Sequence, residues 1–106
     1  MNASDQWAEA QVQIKNRLGL HARPAMSFVD MANGFTSDIR VGKGEQQVDG
    51  KSIMQMMMLA ATQGTELVLR AQGTDADDAL TALCDLVNRQ FDENDDAERS
   101  TQEDLN

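Results

Sequence analysis

The sequence predicts an α+β fold: a four-stranded, mostly antiparallel sheet with three helices on one face, in the order β-α-β-β-α-β-α. Two observations carry this. The strand-like segments alternate apolar and polar residues at period two, and one wet face per strand is the mark of an antiparallel sheet covered on one side. The intervening segments repeat apolar residues at three-and-four spacing, which gives a helix one apolar stripe. Stacking the stripes on the dry side of the sheet makes a two-layer sandwich.

The elements follow in order. Residues 8–15, AEAQVQIK, place Ala8, Ala10, Val12 and Ile14 on one side and Glu9, Gln11, Gln13 and Lys15 on the other. "NRLG" breaks this strand, and after Pro24 the pattern becomes Ala25, Phe28, Val29 and Ala32, a helix face. Proline suits a first helical turn, where its missing N–H costs nothing, and Gly34 after Asn33 is a C-terminal stop. Phe35 to Val41 alternates again, "GKGEQ" turns the chain, and Gln46 to Asp49 makes a short returning strand. Ser52 is read as the N-cap of a short helix reaching about Met58. Leu67, Leu69 and Ala71 then alternate with Glu66, Val68 and Arg70 in the last strand. Thr74 with Asp77 forms a variant capping box, with Asp75 and Asp78 adding negative charge to the first turn. Ala76, Ala79, Leu80, Leu83, Val87 and Phe91 trace the third helix.

The totals bound the function. A chain of 106 residues predicts one domain. We place it at 8–91, after a flexible extension over 1–7 and before an acidic, disordered tail over 92–106. Of the formal charge of −9, the tail holds −6, so the body is only mildly acidic and a general nucleic-acid binder is not indicated. A lone Cys84 excludes an internal disulfide and a cysteine-built zinc site. The first twenty residues lack the apolar run of an export signal, and no stretch approaches the ~20 apolar residues of a membrane span. The expectation is a cytoplasmic protein with no membrane insertion and no bound metal or cofactor.

The one histidine, His21, lies in "GLHARPA", just before the first helix. The first N–H groups of a helix have no intrahelical partner and sit at the positive end of its dipole, which suits an anion. Arg23 adds a guanidinium matched to phosphate oxygens. An imidazole is also a competent nucleophile near neutral pH. These surroundings fit a histidine that carries a phosphoryl group; the plainer alternative is a surface histidine that caps the helix. A metal site lacks ligands, and a serine hydrolase lacks a nucleophile elbow. "GKGE" at 42–45 is too short for a phosphate-binding P-loop.

A second constellation is Lys51-Ser52-Ile53-Met54, followed by Met56, Met57 and Met58. A helix this short cannot bury all of its methionines on one face. The exposed ones make an adaptable docking surface, against the plainer reading of methionine as core filler. A phosphate on Ser52 would add charge of roughly −1.5 to −2 beside them and block docking without unfolding the domain.

"NRLGLHARPA" resembles the active-site segment of the histidine-containing phosphocarrier (HPr) family of the bacterial phosphotransferase system. "GKSIMQMMMLAATQG" resembles that family's serine-phosphorylation segment at the proper distance downstream. The likeness spans about Ala8 to Phe91. It implies an open-faced β-sandwich in which His21 accepts a phosphoryl group from phosphorylated Enzyme I on Nδ1 and passes it to Enzyme II A-type domains. It further implies that Arg23 steadies the phosphate and that Ser52 is the target of the HPr kinase/phosphorylase. Lys51, Ile53, Met54 and Met57, with Leu20 and Met26, would meet the partners of a monomeric carrier acting between enzymes, not a turnover enzyme. Gln55 stands where members recognised by that kinase often have glycine, and Asp30 and Asn33 replace lysines that help some members dock Enzyme I. "LGLHARPAM" also resembles the nitrogen-related branch, so the alternative is a mainly regulatory protein without a role in sugar uptake.

Overall fold

The structure, a computed structural model, describes residues 6–93. Four strands form one sheet: β1 (Ala8–Gln13), β2 (Asp38–Lys43), β3 (Gln46–Asp49) and β4 (Glu66–Gln72). Three helices accompany them: α1 (Ala22–Ala32), α2 (Ile53–Met58) and α3 (Ala76–Asn88). The strand order is β1-β4-β2-β3, and every neighbouring pair is antiparallel. The last strand therefore slots between β1 and β2, which run parallel to each other on either side of it. This is the predicted α+β architecture, and the extra dry face comes from the predicted alternation. Val12, Ile39, Val41, Leu67, Leu69 and Ala71 are buried, whereas Glu9, Gln11 and Gln13 on the other face are exposed. Onto the dry face pack Phe28, Val29 and Ala32 of α1 and Ala79, Leu80, Leu83, Leu86 and Val87 of α3.

Local hydrogen bonding moves some element ends from where periodicity put them. The second strand begins at Asp38 rather than Phe35 because the Thr36 and Ser37 N–H groups are taken elsewhere. They donate to the Asp75 carboxylate at 2.9 and 3.0 Å, and the Ser37 hydroxyl donates to the same side chain. Asp75 is thus the residue preceding α3 that ties the helix to the α1–β2 connection. Its side chain does not cap α3, and the Thr74–Asp77 box of the sequence reading does not form. The negative first turn does: Asp77 and Asp78 lie there.

The third helix ends at Asn88, short of Phe91. Gln90, Phe91 and Asp92 have φ of 59°, 56° and 61°, a left-handed turn that reverses the chain. Phe91 drops into the core from this turn. The turn is braced outside by Arg89, which pairs with Asp85 and, at 3.0 Å, with Asp92. Glu93 follows, its side chain buried, although the sequence reading leaves it in the acidic tail. The remainder of that tail and residues 1–5 of the expected extension lie outside the described residues. Among the described residues no helix is long and apolar enough to cross a membrane.

Candidate functional site

The link between β1 and α1 is pinned at several points. Ile14 N–H donates to Thr65 O at 2.9 Å, and Gly64 N–H to Ile14 O at 2.7 Å, carrying the pairing of β1 past its last ladder residue. Asn16 closes the next turn: its carbonyl accepts from Gly19 N–H at 3.1 Å, and its side-chain amide donates to Gly19 O at 2.7 Å. Leu20 N–H then donates to Ala61 O at 2.8 Å. His21 is consequently delivered as the N-cap of α1 by a segment with little freedom.

His21 has extended backbone angles (φ −82°, ψ −168°), and its carbonyl accepts the first intrahelical bond, from Ala25 N–H at 3.0 Å. Its side chain makes no capping bond, so the capping alternative does not describe it. The amides of Ala22 and Arg23 are left without intrahelical partners, Pro24 has no N–H, and no acidic residue occupies the first turn. The helix's own sequence therefore supplies no negative charge against its positive pole. Arg23 is exposed and makes no ion pair with any described residue.

The imidazole is 35% exposed, and Nε2 lies 3.0 Å from Glu93 Oε1. A carboxylate only accepts, so the Nε2 proton faces Glu93, and in the neutral ring it is Nδ1 that holds the lone pair. Asn16 Nδ2 donates to the same Oε1 at 3.2 Å. Glu93 Oε2 and Asn16 Oδ1 are buried without a partner. Chemically, the start of α1 offers an imidazole nitrogen, two amides without intrahelical partners, a helix pole and an exposed guanidinium, all within three consecutive residues. Among the described residues no group of three or more His, Cys, Asp or Glu side chains is placed to hold a metal. Burial pushes the Cys84 thiol up from its ordinary value, away from reactivity.

The short helix α2 divides its methionines as its length demands. Ser52 caps it, accepting from Gln55 N–H at 3.2 Å. Met56 and Leu59 face inward and are buried, while Ile53, Met54 and Met57 are exposed, Met54 at 73%. Met26, in the first turns of α1, is exposed too, and α1 packs against α2. Two residues expected in the docking patch do not fit it. Leu20 is only 5% exposed, because its backbone bond to Ala61 turns the side chain into the core. Lys51 is half-buried with Nζ donating to Phe35 O at 2.7 Å, a bond that holds the fold together. Met58, one of the methionines of α2, is exposed as well, whereas periodicity missed the exposed Leu18 and missed Asn16 and Glu93 beside the histidine.

A small open-faced α+β domain with its single histidine at a helix N-terminus is an arrangement compatible with the class of proteins that carry a phosphoryl group. Comparison with known sequences gives the family: the model described as PTS HPr component phosphorylation site matches residues 8–89, and the chain belongs to the HPr family of phosphocarrier proteins. It is 51% identical over 84 residues to the phosphocarrier protein HPr of Pseudomonas aeruginosa, covering 78% of this chain and 93% of that one. It is 41% identical over 85 residues to the phosphocarrier protein NPr of Shewanella violacea, covering 80% and 93%. The crystal structure of HPr-C-His from Thermoanaerobacter tengcongensis superposes with a TM-score of 0.79 at 45% identity, covering 81% of this chain and 97% of that one.

Proposed function

We propose that His21 is the phosphoryl acceptor of this phosphocarrier, taking the group on Nδ1 from phosphorylated Enzyme I and passing it to Enzyme II A-type domains. The observation that carries the reading is the ring's setting: at the N-cap of α1, Nε2 is engaged by Glu93, which leaves Nδ1 of the neutral ring as the nitrogen to accept the group. Arg23 and the free amides of Ala22 and Arg23 would hold the phosphate oxygens. Ile53, Met54 and Met57 of α2, with Met26 of α1, supply the adaptable apolar surface that a carrier with several partners needs. The protein acts as a cytoplasmic monomer in this reading. Ser52 is the regulatory position, where the HPr kinase/phosphorylase would add charge beside Met54 and Met57.

Incubation with phosphoenolpyruvate and Enzyme I should label the chain with acid-labile phosphate, and His21→Ala should abolish the label. Full labelling of His21→Ala would overturn the assignment. The similarity to NPr supports a second reading, a regulatory carrier of the nitrogen-related branch. Acceptance of the phosphoryl group from the nitrogen-branch donor at a higher kcat/KM than from the sugar-branch donor would select it.

A further inference from the structure

We infer that Glu93 is a positioning residue for phosphoryl transfer, holding the His21 ring with Nδ1 presented and balancing the charge the ring acquires. The inference rests on His21 being the acceptor. Three observations bear on it, and none of them involves the phosphate-facing side of the ring.

Glu93 Oε1 receives both His21 Nε2–H and Asn16 Nδ2–H, at 3.0 and 3.2 Å, so the carboxylate is itself aimed by a buried amide that also closes the turn before His21. The Glu93 side chain is 95% removed from water, its relative exposure being 5%, yet Oε2 has no partner among the described residues. A buried carboxylate satisfied on one oxygen is a poor device for stability, because desolvation of the other is not recovered. The backbone that delivers it is strained as well: three successive non-glycine residues, Gln90 to Asp92, occupy the left-handed region. Phe91 in the core and the Arg89 pairs outside hold that turn in place. Strain and an unpaired oxygen are thus both accepted to put one carboxylate against one imidazole.

The chemistry gives this contact a role. In acceptance, the Nδ1 lone pair forms the new N–P bond, and the donor's bond to phosphorus breaks with its electron pair staying on the donor. The His21 ring becomes cationic and keeps its Nε2 proton, which points at Glu93. A charge-assisted hydrogen bond is about twice as strong as a neutral one, so the contact strengthens as transfer proceeds. On donation to the next partner the ring returns to neutrality and the contact relaxes.

The test uses the full chain and its Glu93→Gln and Glu93→Ala variants, with Enzyme I and phosphoenolpyruvate as donor. For Glu93→Gln the kcat of phosphoryl acceptance should fall by about tenfold with KM unchanged, since a neutral carbonyl still accepts from Nε2–H but no longer balances the charge. Glu93→Ala should fall further. Independently of any donor, nitrogen-15 spectra of the ring should show an exchange-protected Nε2–H in the native protein and its loss in Glu93→Ala. Native kcat in Glu93→Gln overturns the inference, as does an unprotected Nε2–H in the native protein. A rate loss that tracks lost thermal stability while Nε2–H stays protected assigns Glu93 to packing and also overturns it. Failure of the native protein to accept phosphate refutes His21 as acceptor, and the ring spectra then decide the Glu93 contact alone.

Discussion

Gly19 should be irreplaceable because of where the chain passes, and Gly44 offers the control. Both have positive φ, +68° and +58°. A Cβ on Gly19 would stand 2.6 Å from the Ala61 carbonyl oxygen and 2.9 Å from Thr62 Cα, backbone atoms that no side-chain rotation can clear. A Cβ on Gly44 would meet nothing within 4 Å. Left-handed backbone costs an L-residue roughly 1–2 kcal/mol, and that is the whole expected cost of Gly44→Ala. Gly19→Ala adds an overpacking term of about 1–3 kcal/mol, for a total of roughly 2–5 kcal/mol. Urea denaturation followed by circular dichroism measures both, with an unchanged m-value showing that the unfolded state is not what moved. Because Ala61 O is also the acceptor for Leu20 N–H, the clash should displace the residue before His21. Gly19→Ala should therefore lose phosphoryl acceptance under conditions where it remains folded, and Gly44→Ala should not. Equal destabilisation of the two variants would refute the close approach as the reason for glycine at position 19.

Two further perturbations separate surface from core and test the Asp75 clasp. Met54→Asp should leave stability within about 0.5 kcal/mol, as surface substitutions do, while raising KM for Enzyme I at least several-fold. Met56→Ala, in the same helix but fully buried, should instead cost about 2–5 kcal/mol, and the reverse ranking in a denaturation series would discredit the division of α2. The hydrogen bond from the Ser37 hydroxyl, with those from the Thr36 and Ser37 amides, lowers the Asp75 carboxyl from 3.8 to about 2. A depressed native value means the unfolded chain takes up the proton first, so the stabilisation is complete above pH 3.8 and fades as pH falls toward 2. Native protein and Asp75→Asn should differ in thermal midpoint at neutral pH and converge below about pH 2; parallel curves would exclude the clasp.

How much of this was legible depended on the range of the interaction. Alternation in AEAQVQ and ELVLRA, and the stripe from Ala76 to Val87, are decided by which side faces the core, and period alone reports that. The proposed acceptor site was legible for the same reason, being built from consecutive residues: His21, the amides after it, Arg23 and Pro24 form one helix terminus. The sides of Leu18 and Leu20 were not legible, because the turn at Gly19 resets the parity, leaving Leu18 exposed and Leu20 buried. The start of β2 was obscured by Asp75, 39 residues from Thr36, competing for the amides a strand would use.

Glu93 was hidden by a further conflict. It stands in a run of acidic residues whose composition says solvent, and charge density is a sound guide to a segment's average but not to each residue at its start. What overrides it is Phe91. A buried aromatic three residues after the end of α3 must bring its neighbours onto the body, and only a reversal of the chain permits that without exposing Phe91. A large apolar residue at the edge of a charged run is therefore the sequence signal for an anchored boundary. Here the anchor sets a carboxylate 72 positions away in sequence against the single histidine. Replacing Phe91 with a polar residue should free Glu93 as well, so its effect on the Nε2–H signal of His21 should match that of Glu93→Ala. Persistence of that signal in Phe91→Ser would show that Glu93 reaches the ring by some means other than the core anchor.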